Sequence, residues 1–179
     1  MNNNFKEDYK YNDPEIKELM SELHYTTGEV IHSIQKLEYR IKYLIALQDT
    51  IEKIKDKNEK ETRKIKTYEQ ATKYMDYILS TNDNITLGEN CKRLDRLNIF
   101  NESIESSLDN FSSLRNQLVH RFYVEIDFKT NDKNDEVRLD LNRKLKTLRT
   151  MFQESRILYK KVKEKIIAKD LELKSLFKN

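Results

Sequence analysis

Two glycines and one proline in 179 residues leave this chain with almost no turn or hinge vocabulary. That scarcity argues against a β-sandwich and against a glycine-rich loop that cradles phosphates. A single cysteine excludes an intramolecular disulfide, and one Cys with three His makes a structural zinc site improbable. No metal and no other cofactor is therefore expected. Tryptophan is absent, and charged residues at 36% suit slender helices with wide solvated faces. The start, Met1-Asn2-Asn3-Asn4-Phe5-Lys6, lacks the apolar run of a signal peptide, and no later run is apolar enough to span a bilayer. The expectation is a soluble cytoplasmic protein with no membrane partner.

The net charge of +3 hides an asymmetry. Residues 143–178 carry 12 Lys/Arg against 4 Asp/Glu, so the C-terminal fifth is +8 and residues 1–142 are −5. A helix this basic either attracts a polyanion such as RNA or is a solvated lysine-rich face.

Residues 1–12 are polar and unpatterned, and read as a flexible N-terminal arm; residues 13–179 read as a single helical domain. Asp13-Pro14 is a helix start, with Asp at the N-cap and Pro at the first helical position. From Ile16 through Leu23, Val30, Leu37 and Leu44, apolar residues then alternate at spacings of four and three. That is a heptad seam on a helix of roughly 50 Å. Gly28 interrupts it and suggests a close helix crossing. His24 and His32 lack Cys or carboxylate companions at ligand spacing and read as ordinary helix residues. The charge-dense stretch 53–64 connects to a second helix ending near Leu79, and Thr86 caps a short third helix in which Cys91 is a small core residue. A fourth helix follows, with Ile104, Leu108, Phe111 and Leu118 facing inward.

Past Tyr123 the period changes from helical to two. Val124, Ile126 and Phe128, then Val137, Leu139 and Leu141, alternate with charged residues across a polar linker, which predicts a small β-hairpin over about 124–141. A final heptad-patterned helix runs from Leu141 to Leu176. The fold class expected is all-α: an up-and-down bundle of about five helices, framed by two long ones that pair lengthwise.

Chemistry concentrates in one stretch of the fourth helix, Arg115-Asn116-Gln117-Leu118-Val119-His120-Arg121-Phe122. Asn116 and His120 are four apart and stack on one face, while Arg115 lies about 140° round the axis from His120. Imidazole titrates near neutral pH, guanidinium pairs with phosphate, and an amide orients either. Together they suffice for attack of an RNA 2′-hydroxyl on its own phosphodiester, without a metal. The same three residues would also serve as a polar cluster that caps or bridges helices. The spacing of Arg to His carries little information alone; the fuller string, Arg-Asn, an apolar pair and His-x-aromatic in a helical chain, is much rarer.

That string resembles the HEPN superfamily of small α-helical bundle proteins, whose motif is Arg, a polar residue (often Asn), a short spacer and His. Arg115, Asn116 and His120 match those positions. The resemblance implies a metal-independent endoribonuclease, a toxin or defence effector acting as a homodimer in which two motifs line one cleft. His120 would be base or acid, Arg115 would stabilise the phosphorane, and Asn116 would position the site, with Arg121 and Tyr123 against the RNA substrate. An antitoxin or nucleotidyltransferase partner is implied for one branch. There the residue two beyond His is a Tyr that the partner modifies; here it is Phe122, with Tyr123 one place on, so this mode of control is in doubt. Other members are inactive, which leaves a catalytically silent HEPN-like module binding RNA or protein as the alternative.

Overall fold

The computed structural model of the chain describes residues 13–56, 65–81, 85–121 and 134–178, the side chains of 119–121 excepted. These residues form an all-α bundle of five helices: α1 (Pro14–Lys55), α2 (Tyr68–Thr81), α3 (Leu87–Arg96), α4 (Glu102–Arg121) and α5 (Asn134–Ser175). There is no strand among them.

Local chemistry sets the ends of these helices. The Asp13 carboxylate accepts hydrogen bonds from the backbone N–H of Glu15 (2.9 Å) and of Ile16 (3.3 Å), and Pro14 follows where no N–H is needed. Partial burial opposes ionisation of Asp13, but those two donors and the Arg138 guanidinium outweigh it and hold its carboxyl below the usual range. Thr86 opens α3 through a reciprocal pair: its hydroxyl accepts from Glu89 N–H at 3.3 Å, and the Glu89 carboxylate accepts from Thr86 N–H at 3.0 Å. Asn98, at φ 47°, turns the chain out of α3 in the left-handed conformation that Asn tolerates.

The two long helices, 42 residues each, span about 63 Å at about 1.5 Å per residue and pair along their length. Their cross-links rise in step: Arg138 to Asp13, Arg149 to Glu22, Ser155 to Ser33, Glu172 to Lys55. The pair is therefore parallel. Leu23, Val30, Ile34, Leu37 and Ile41 of α1 meet Leu141, Leu145, Leu148, Met151, Leu158 and Val162 of α5, all buried. One polar contact interrupts this seam, a 2.5 Å hydrogen bond between Ser33 and the fully buried Ser155. Further along, the burial pattern of α1 changes. From Leu44 to Gln48 five consecutive residues are buried, because α2, α3 and α5 surround the helix there. Tyr68 and Tyr74 of α2, and Arg93 of α3, tie these elements to Asp170, Lys53 and Asp49 respectively. Buried side chains from all five helices form one continuous cluster, worth roughly 1.5–3 kcal/mol for each large residue.

Two expectations are corrected. The second strand of the proposed hairpin is the opening of α5: Val137 and Leu141 lie one helical turn apart on the inward stripe that continues through Leu145 and Leu148, while Leu139 is 54% exposed. A short run in which i and i+4 are apolar, with an apolar residue between them, reads as alternation, but the longer stripe has period 3.6. Arg138 fixes this start against α1, donating to Asp13 at 2.5 Å and to Asp135 at 3.2 Å. The first strand, at 124–128, lies outside the described residues, as does the arm at 1–12. Gly28, expected at a close crossing, faces open space: a Cβ there would meet nothing within 4 Å.

Candidate functional site

Helix α4 is held by its inward residues Leu108, Phe111 and Leu118, each 3% exposed or less, with Ile104 and Leu114 packed at the margin of the core. This anchoring sets the rotation of the helix and turns Arg115, half-buried, toward α1. Nη1 of Arg115 donates to Oδ1 of Asn116 at 3.1 Å. Its Nη2 lies 3.7 Å from Oε1 of Glu38 on α1, with side-chain exposures of 30% and 20%. At that separation the contact is a charge pair rather than a hydrogen bond. Arg115 and Asn116 thus meet each other, and Arg115 also meets the long helix through Glu38.

His120 and Arg121 belong to the last turn of α4, so His120 follows Asn116 by one turn. Their side chains, and all of Phe122 and Tyr123, lie outside the described residues. Of the five expected site residues, then, two are in defined contact.

Glu38 was invisible to sequence reading. It is one of many charged positions along α1, and nothing in its spacing distinguishes it. Only the docking of α4 gives it a role. Its carboxylate sets a negative charge directly against the guanidinium that the motif would offer to a phosphate. More negative charge gathers nearby: Asp95 is pushed up by burial and then by the charge of Asp109. The same field reaches Cys91, whose buried thiol is pushed up to about 12 by desolvation first and then by Asp109, Asp95 and Glu38. A thiol in that state packs like a small hydrophobe and is a poor nucleophile.

Among the described residues no three His, Cys, Asp or Glu side chains gather as a metal site would require. No helix among them is long and apolar enough to cross a membrane. The chain matches no family model, no curated protein and no solved structure.

Proposed function

We propose that this chain is a HEPN-like endoribonuclease of the cytoplasm, a toxin or defence effector that cleaves RNA by 2′-hydroxyl attack. The observation that carries the reading is the Arg115–Asn116 pair on an inward-anchored bundle helix, bonded at 3.1 Å and followed one turn later by His120. In this reading His120 moves the proton of the attacking hydroxyl, Arg115 neutralises the phosphorane, and Asn116 holds the guanidinium in place. A homodimer supplies the second motif and the other wall of the cleft, and an antitoxin partner restrains the activity.

Glu38 favours a second reading. A carboxylate 3.7 Å from Arg115 competes with phosphate for the guanidinium, as expected of a catalytically silent HEPN-like module that binds RNA or a partner protein.

One experiment separates the two. Purified protein is incubated with RNA in EDTA alongside Arg115→Ala and His120→Ala. The ribonuclease reading expects fragments ending in a 2′,3′-cyclic phosphate and a 5′-hydroxyl, with rates lower by about 10²–10³-fold in Arg115→Ala and about 10²–10⁴-fold in His120→Ala. Equal cleavage by all three proteins, or none by the wild type, would remove it. Sedimentation of the intact protein as a strict monomer would count against the shared cleft.

A further inference from the structure

A groove of ≈ 920 Å³ runs along the α1–α5 seam. It lies on the face opposite α4. Lys36 and Arg40 project from α1 about 160° round the axis from Glu38, the residue that meets Arg115. On α5, Arg156 points about 180° away from Lys165, which packs over Phe100 at the entry to α4. Arg115 and the groove therefore lie on different faces of α1.

Four cations line it, Lys36 and Arg40 on α1, Arg156 and Lys160 on α5, against a single carboxylate, Glu29. Among the described residues none of the four is in an ion pair with Asp or Glu. Lining cations kept apart from carboxylates leave an unsatisfied positive field, which the groove walls concentrate. Aromatic rings are interleaved with them. The Arg40 guanidinium sits 5.9 Å from the Tyr159 ring centre and that of Arg156 5.9 Å from the Phe152 ring centre, while Tyr39 is 58% exposed. Within each wall the cations stand one helical turn apart, about 6 Å along the axis. That repeat suits successive phosphates of an extended strand, with rings between them for bases to stack upon.

We propose that this groove is a binding track for single-stranded nucleic acid: Lys36, Arg40, Arg156 and Lys160 pair with the phosphates and Tyr39 stacks a base. An acidic protein would use the cations and leave the rings idle. A duplex would present its bases already stacked and gain nothing from Tyr39. The claim depends on neither cleavage nor the α4 motif.

The test is fluorescence anisotropy of a labelled single-stranded 12-mer oligodeoxynucleotide, which lacks the 2′-hydroxyl and so reports binding free of any hydrolysis. Arg40→Gln with Arg156→Gln should weaken binding at least tenfold and lower the slope of log K against log salt by about 1.4, two phosphates at about 0.7 each. Tyr39→Ala should weaken it about 5- to 100-fold with the salt slope unchanged, and Tyr39→Phe should restore it. Tyr39 is exposed, so its loss leaves the fold intact and this arm stands even if the double variant unfolds. Absence of binding at low salt overturns the proposal. So does equal affinity for the duplex, equal competition by heparin per charge together with an inert Tyr39→Ala, or a self-association abolished by Arg40→Gln with Arg156→Gln, which would make a second copy the occupant.

Discussion

The Glu38–Arg115 pair gives the most direct handle on the α4 site. If Arg115 is the phosphate partner, Glu38 restrains it, and Glu38→Gln should release it while keeping the shape of the side chain. At 3.7 Å the Coulomb attraction is about 1 kcal/mol for a water-like dielectric constant and about 4.5 kcal/mol for an effective value of 20. Both side chains keep access to water, at 30% and 20% exposure, which places the coupling toward the lower figure, about 1–2 kcal/mol. Releasing that much raises phosphate binding about 5- to 30-fold. The expected result is a rise of this size in kcat/KM for RNA cleavage at low ionic strength. The gain should shrink as salt brings the Debye length to about 10 Å at 0.1 M and below. A urea-denaturation cycle of Glu38→Gln, Arg115→Gln and the double variant should return a coupling of about 1 kcal/mol, independent of any activity. Glu38→Gln by itself should lose about 1 kcal/mol of stability, the coupling it gives up, while Asn116 still accepts from the guanidinium. A coupling of zero would mean that the pair does not form in solution. A measurable coupling with unchanged or reduced cleavage would mean that Arg115 is not the group that meets the phosphate.

Three further outcomes follow from the packing. Gly28→Ala should stabilise the protein by about 1 kcal/mol and raise Tm by about 2–4 °C, since the new methyl meets nothing and the helix gains propensity; a lower Tm would place an unseen neighbour at that position. Cys91 should resist a disulfide reagent at pH 8, with about one thiol in 10⁴ ionised, and react fully once urea unfolds the chain; rapid labelling of the native protein would show α3 and α4 opening. Glu172 is held below the usual carboxylate range by Lys55 and Lys169; burial opposes the ionisation of Asp170, but Lys174 and Tyr68 overcome it. Depressed folded values mean stability present above about pH 4 and lost as pH falls through them. Asp170→Asn with Glu172→Gln should flatten the acid limb of a stability–pH curve; an unchanged limb would remove these carboxylates as its cause.

Helix ends and helix faces were legible in the sequence because their causes are local. Asp13-Pro14 and the Thr86–Glu89 capping box act within a few residues, and the spacings of four and three identify the buried stripes of α1 and α5 without reference to any partner. The all-α class followed from the same patterns together with the scarcity of glycine and proline. Where a stripe was short, periodicity failed: Val137, Leu139 and Leu141 fit two periods until Leu145 and Leu148 extend the helical one.

The α4 stretch was visible as a cluster of residue types, yet its surroundings were not. A pattern along one chain says which face of a helix is buried and is silent on what covers it. Docking decided that α1 and α5 run parallel, so that Asp13 meets Arg138 and Lys55 meets Glu172. Docking also set Glu38 against Arg115, left Gly28 in open space, and brought Lys36 and Arg40 across a groove from Arg156 and Lys160. Each of these is a meeting of side chains 77 to 125 residues apart, or the lack of one, and the forces that select it act only once the helices have packed. Local patterning along the chain set the helices and put Arg115, Asn116 and His120 on one of them; packing alone set the Glu38 carboxylate against Arg115.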